Sequence, residues 1–306
     1  MIIFEYPGEN KICGDCVLAL GLFDGVHVAH RDLILTAKTT AVERGLPLGI
    51  FTFDKGIKSD APKIYSNIDR AELFEKLGAD FVVFADFNQI KDTSPEDFVN
   101  KILCKKLRCR VAVAGFNFRF GRSASGNADT LNSLMQKSGG EAIIKQEITG
   151  KDGKTVSSTR IRELLSKKKL NEANILLGEP YFINGNVCPG NQKGRELGFP
   201  TFNTPIPHGV IAPTGVFRSI VNVDGKTYNA ITNIGTCPTL GARDIHAETH
   251  IIDYSGNLYG KQLKTYLLGF LRDEMHFDSA EELCKQIEKD IKITIGENKD
   301  YGKNLD

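Results

Sequence analysis

Short apolar runs alternate with amphipathic stretches through the first half of the chain. Val17–Phe23 reads as a strand, Val28–Arg44 as a helix and Pro47–Phe53 as a buried strand. Asp69–Leu77 makes a short helix stopped by Gly78, and Asp80–Ala85 another strand. Ser94-Pro95-Glu96 places an N-cap, a first-turn proline and an acid ahead of a helix reaching Lys106. Val111–Ala114 is a strand ending at Gly115, Glu141–Glu147 is one more, and the hydroxyls of Ser158 and Thr159 open a helix toward Lys168. Strands alternating with helices predict a doubly wound α/β domain on a parallel sheet. Ligands then bind beyond the carboxyl ends of the strands.

After Gly178 the pattern changes. Tyr181–Val187, Gly215–Val223, Lys226–Ile234, Ala247–Tyr254 and Gln262–Arg272 read as strands separated by turn signals, and Asp224-Gly225 marks a hairpin. Ser279–Ile293 reads as a helix with Ser279 as its N-cap, and the residues from Gly296 to Asp306 as a polar, frayed end. This half predicts an antiparallel β-barrel domain with one C-terminal helix. The change in texture divides the chain into residues 1–178 and 179–306.

Composition narrows the classes. The chain has 306 residues, enough for two cores, and 39 Lys+Arg against 38 Asp+Glu leave a net charge of +1, which argues against a broad nucleic-acid-binding face. Apolar runs such as Leu46–Phe53 and Ala79–Ala85 are too short to span a bilayer. Met1-Ile2-Ile3-Phe4-Glu5 has neither a basic start nor a long apolar stretch, so no signal peptide is expected. Seven cysteines suggest reduced thiols in the cytoplasm. The Cys13-Gly14-Asp15-Cys16 pair leads into a strand rather than opening a helix, and Cys104 and Cys109 make a poor second ligand pair. Neither redox nor zinc chemistry is expected of it.

Three stretches of the first half carry candidate chemistry. Gly21-Leu22-Phe23-Asp24-Gly25-Val26-His27-Val28-Ala29-His30 lies where a strand turns into a helix. Backbone N–H groups and the positive helix end converge there on an anion, and two histidines three apart can donate to a phosphate whose charge grows. Gly115-Phe116-Asn117-Phe118-Arg119-Phe120-Gly121-Arg122 presents aromatics, an amide and arginines after a strand, either lining a nucleotide site or lying in solvent. Three phenylalanines in one loop need something to pack on. Ser157-Ser158-Thr159-Arg160-Ile161-Arg162 puts hydroxyls and arginines at a helix start, a second anion site or a simple cap.

In the second half, Gly190, Gly194 and Gly198 with Lys193 and Arg195 suit a backbone cradle for phosphates. Phe199-Pro200-Thr201-Phe202-Asn203 follows, and on an extended segment Thr201 and Asn203 point to one side as oxygen donors suited to Mg²⁺ or phosphate. Glu248 sits on a strand, where a carboxylate is either an ion-pair partner or a general base.

The first-half motifs, in this order, resemble the HxGH-type nucleotidylyltransferases, and in particular the adenylyltransferase module of prokaryotic FAD synthetase. The resemblance implies transfer of AMP from ATP to FMN with release of pyrophosphate. On it, His27 and His30 stabilise the phosphates within a turn that includes Gly21, Phe23, Asp24 and Gly25; Ser158, Thr159 and Arg160 close on the triphosphate; and Asn117 and Arg119 border the pocket. Leu22, Ala29 and Asn117 stand where this family often has Asn, Gly and Asp, and Thr52-Phe53-Asp54-Lys55 lacks a His-Pro common there.

The second half resembles riboflavin kinase, which implies phosphorylation of riboflavin by Mg-ATP. Glu248 would accept the hydroxyl proton, Thr201 and Asn203 would hold the metal, and Leu271-Arg272-Asp273-Glu274-Met275-His276-Phe277 would border the flavin. Together they imply a bifunctional enzyme with riboflavin, FMN and ATP as small-molecule substrates and no nucleic-acid or membrane partner. The same residues leave open a riboflavin kinase with a degenerate first domain, or a flavin- or nucleotide-sensing regulator.

Overall fold

The structure, a computed structural model, describes residues 1–8, 14–54, 61–188, 193–236 and 245–298. It divides into two compact units, Met1–Ser158 and Thr159–Asp306.

The first unit is built on six parallel strands: β1 (Ile2–Tyr6), β2 (Cys16–Leu20), β3 (Leu48–Phe53), β4 (Phe81–Ala85), β5 (Cys109–Gly115) and β6 (Glu141–Lys145). Their order across the sheet is β1-β4-β3-β2-β5-β6. From β2 the chain steps outward through β3 to β4, then returns to the other side of β2 for β5 and β6. The direction therefore reverses between β2 and β5, and a doubly wound sheet opens its ligand crevice at that point. Both β2 and β4 are buried along their whole length, as strands covered on two faces must be.

Helix α1 (Val28–Arg44) has the bounds its pattern predicts and ends on left-handed Gly45. Helix α2 (Asn67–Lys76) begins two residues ahead of the predicted start, because Ser66 and Asp69 form a reciprocal capping box. The helix capped by Ser94 reaches Lys106 as expected, wound i→i+5 over Phe98–Lys106, with the Leu107 N–H donating to Ile102 C=O at 2.9 Å. Elements outside the sequence expectations include edge strand β1, helix α3 (Ala128–Lys137) capped by Asn127, and a helix of the second unit given below. Cys16 is fully buried, its Sγ donating to Leu107 C=O at 3.1 Å, and burial pushes its thiol up to about 12. Cys13, the other half of the C-x-x-C, lies outside the described residues.

Helix α4 (Ser158–Ser166) opens at the division between the units, and α5 (Leu170–Leu177), the unexpected helix of the second unit, follows at once. In the second unit, β7 (Tyr181–Asn186), β8 (Thr201–Pro205), β9 (Gly215–Val223), β10 (Lys226–Thr236), β11 (Ile245–Ile251) and β12 (Gln262–Arg272) form an antiparallel sheet ordered β7-β12-β9-β10-β11-β8. The sheet curls until an isolated bridge joins Cys188, just past β7, to Asn203 on β8, with the Cys188 N–H donating to Asn203 C=O at 2.8 Å. Asp224 (φ 53°) and Gly225 (φ 82°) form the tight hairpin their sequence predicts. Helix α6 (Ala280–Glu297) is capped by Ser279 as expected and runs four residues further than the pattern suggests.

Candidate active sites

In the first unit, β2 delivers the Gly21–His30 turn to the switch point beside β5. The turn is tightly wound: Phe23 (φ 48°), Val26 (φ 42°) and Gly25 (φ 87°) are all left-handed, and a Cβ on Gly25 would meet Ile64 Cδ1 at 2.8 Å. Burial of Phe23 against Phe74, with ring centroids 5.8 Å apart, stabilises this backbone. Asp24 is spent on holding the turn. Its Oδ1 accepts from the Ile64 N–H at 2.9 Å, and its C=O accepts from Ser158 Oγ at 2.6 Å.

His27 is the N-cap of α1 rather than a residue within it, its Nδ1 accepting from the His30 N–H at 3.4 Å. A nitrogen that accepts is unprotonated, so the ring proton sits on Nε2, where it can be donated to a ligand. The two rings stack with centroids 3.6 Å apart, and no carboxylate occupies the first turn of α1. Burial lowers His27 from 6.5 to about 4. Burial, then the neighbouring His27 and Arg70, hold His30 well below its ordinary value. His30 keeps some exposed surface as a residue, but its Nδ1 is sealed from solvent without a hydrogen-bond partner among the described residues. The site offers two neutral imidazole donors at a helix N-terminus, a receptor for phosphate rather than a nucleophile.

Asn117 and Arg119 are exposed just beyond β5. The neighbouring phenylalanines are largely accounted for by packing: Phe120 is buried against Phe98 at 5.2 Å, Phe118 stacks on Phe120 at 5.5 Å, and Phe116 alone of the three is 43% exposed. Thr159 and Arg160 stand in the first turn of α4, exposed and half-buried respectively. A residue that no motif marked, Arg70 on α2, lies beneath the turn and donates to Leu22 C=O at 2.9 Å.

In the second unit, strand register builds a polar row. Asn203 on β8 pairs with Glu248 on β11, and Glu248 pairs with Asn233 on β10, so the three share one face. Thr201, two residues before Asn203, joins them: its Oγ1 donates to Glu248 Oε1 at 2.7 Å. Glu248 is exposed, whereas Asn203 is buried. Asn233 brings in Glu274, donating to its Oε1 at 3.2 Å, while the Asn233 Oδ1 is buried and unpartnered among the described residues. The pairing of Asn233 with Glu248 emerges only from the strand register.

Next to this row a cavity of about 660 Å³ is lined by Arg195, Pro200, Thr201, Tyr254, Asn257 and Tyr259, among others. Its rim is set by a close turn in which the Phe199 N–H donates to Gly194 C=O at 2.7 Å; a Cβ on Gly194 would meet the Phe199 carbonyl oxygen at 2.5 Å. His250 Nδ1 lies 2.9 Å from Pro200 C=O. Gly190 falls outside the described residues, and so does the Lys193 side chain. Arg272 is engaged by the buried Asp290 of α6, with Nε 2.9 Å from Oδ2.

Comparison with known proteins agrees with this division of chemistry. A family profile described as FAD synthetase matches residues 9–160, and one described as riboflavin kinase matches residues 177–296. A bifunctional riboflavin kinase/FMN adenylyltransferase of Bacillus subtilis is 34% identical over 291 residues, 91% of each chain. That of Listeria monocytogenes is 32% identical over 300 residues, covering 95% of this chain and 93% of its own. Among solved structures, a Streptococcus pneumoniae protein described as a macrolide-efflux protein superposes with a TM-score of 0.85 at 28% identity, over 96% of this chain and 99% of its own. Efflux is said of that protein; among the described residues of this chain no helix is long and apolar enough to cross a membrane.

Proposed function

Because the chain belongs to the bifunctional riboflavin kinase/FMN adenylyltransferase family, we propose that two sites of one polypeptide carry out consecutive steps. The C-terminal part phosphorylates riboflavin to FMN with ATP, and the N-terminal part transfers AMP to FMN, forming FAD and pyrophosphate. We assign the transfer to residues 1–178 and the kinase to residues 179–306.

In the kinase, Glu248 takes the proton of the terminal ribityl hydroxyl as its oxygen attacks the γ-phosphorus of ATP and ADP departs. The observation that carries this assignment is the Thr201–Glu248 hydrogen bond beside the buried Asn203, which pairs in register with Glu248. Hydroxyl, amide and carboxylate oxygens are the donors Mg²⁺ accepts, so Thr201 and Asn203 fit as its protein ligands. Bound there, Mg²⁺ would neutralise charge on the phosphates. The adjoining cavity, with Arg195 and Pro200 and the glycine turn through Gly194 and Gly198, suits the nucleotide, and the Arg272 segment is assigned to the flavin.

In the transferase, an FMN phosphate oxygen attacks the α-phosphorus of ATP and pyrophosphate leaves, with no covalent enzyme intermediate. His27 and His30 donate to the phosphate oxygens as their charge grows; Ser158, Thr159 and Arg160 are assigned to the triphosphate, and Asn117 and Arg119 to the nucleotide or flavin. The free thiols of Cys16, Cys104, Cys109, Cys188 and Cys284 suit a reducing cytoplasm, where we place the enzyme, without nucleic-acid or membrane partners.

The test incubates the full chain with riboflavin, ATP and Mg²⁺ and separates the flavins by chromatography. FMN is expected first, followed by FAD. FMN without FAD would remove the transferase assignment, and unchanged riboflavin would remove both.

A further inference from the structure

Arg70 is 3% exposed, on a helix whose Glu75 and Lys76 face water. A buried guanidinium costs several kcal/mol of lost hydration unless its hydrogen bonds are made. Here the bonds converge on the ends of two strands. Nη1 donates to Leu22 C=O at 2.9 Å and to Thr52 Oγ1 at 3.2 Å, and Nη2 donates to Phe53 C=O at 2.8 Å and Asn67 Oδ1 at 2.6 Å. The Thr52 hydroxyl also donates to Leu22 C=O, at 2.8 Å, so two donors hold one carbonyl of the turn. The guanidinium lies 5.1 Å from the Phe84 ring centroid, over β4, and its Nε has no partner among the described residues.

Leu22 lies between Gly21 and the left-handed Phe23, in the segment that carries His27 and His30. We propose that Arg70 is a positioning residue for nucleotidyl transfer: its guanidinium clamps the carboxyl ends of β2 and β3 and thereby fixes the turn that presents the two imidazoles. The proposal rests on the transferase reading of the first unit.

A fixed charge here also acts on the site. The ionisable neighbours acting on His30 are His27 at the start of α1 and Arg70 from α2, and Arg70 in turn feels Asp24 on the turn and Asp54 beyond β3. Burial lowers Arg70 to about 10, so it remains charged at neutral pH and disfavours a second positive charge on His30. Replacing the guanidinium by a neutral residue removes that repulsion, so the titration of His30 reports on the charge held at this position.

The test uses the full chain carrying Arg70→Gln or Arg70→Lys. FAD formation from FMN and Mg-ATP and FMN formation from riboflavin are measured, and the six histidine rings are titrated by NMR. Arg70→Gln is expected to lower kcat for FAD formation roughly 100-fold by misplacing the turn, with FMN formation unchanged. Its His30 midpoint moves up toward the ordinary 6.5. Arg70→Lys keeps the charge and the His30 midpoint, but loses part of kcat because an ammonium cannot span the four acceptors. FAD formation by Arg70→Gln at the parent rate overturns the proposal, and so does an unmoved His30 midpoint. Should Arg70→Gln fail to fold, Arg70→Lys decides: parent-level FAD formation overturns the clamp, and a loss with an unmoved His30 midpoint supports it. A parent chain that makes FMN but no FAD would sink the transferase reading instead.

Discussion

The two candidate sites, proposed for the same class of ligand, are built by opposite physical means. The first is sealed and backbone-bound: His27 is 4% exposed, Asp24 is occupied by backbone groups, and the useful donors are neutral. The second lies open on a sheet face, where exposed Glu248 keeps its carboxylate on the surface and borrows only one hydroxyl. The contrast follows from the bond each makes. Joining two phosphates needs anions held in line and no base, since the attacking oxygen is already ionised. Phosphorylating an alcohol requires removing its proton, so a carboxylate must stay within reach of substrate.

The sharpest way to break this comparison is Glu248→Gln. FMN formation should fall on the order of 10³-fold while FAD formation from supplied FMN is retained, as read by flavin chromatography. Equal loss of both products would mean the sites are not separate. His30→Ala should do the reverse, cutting FAD formation roughly 100-fold and sparing FMN, because one phosphate donor is lost. Thr201→Val removes an oxygen donor but no base, and should raise the Mg²⁺ needed for half-maximal kinase rate about tenfold. An unchanged Mg²⁺ requirement would take Thr201 out of the metal site.

The smallest effect concerns stability. Unfolded His27 takes a proton as pH falls through 6.5, whereas in the folded chain it does so near 4. Between those values the unfolded state binds more protons, so urea stability should decline on acidification by about 3 kcal/mol and level off below. His27→Asn keeps an acceptor at the N-cap without the titration and should flatten that part of the profile. A slope identical to the parent's would show that His27 is not its source.

Local patterns made most of the fold legible. The strand-to-helix alternation, the exact span of α1 and the Asp224-Gly225 hairpin were all readable, since each is written in neighbouring residues. Edge strand β1 was not, because Ile2 and Ile3 stay more than half exposed and give no core-facing alternation. Helix α3 was hidden behind the glycine-rich loop before it, although Leu131, Leu134 and Met135 carry a helical spacing. The histidine pair was visible as a motif, but the tautomer set by the His27 cap was not. Arg70 left no local trace, since a charged residue on an amphipathic helix reads as solvent-facing. Its burial depends on carbonyls 48 and 17 residues away. The Thr201–Glu248 contact likewise spans 47 residues and exists only through strand register.

The bridge that closes the curled sheet gives Asn203 a double life. Its carbonyl oxygen accepts the Cys188 amide proton, while its side chain lies in the row assigned to the metal and phosphates. The seam of the barrel is thereby stitched through a residue that a ligand would pull on. On the proposed assignment, the exchange rate of one amide hydrogen, that of Cys188, should serve as a built-in gauge of occupancy, slowing when a nucleotide binds and quickening when the site empties.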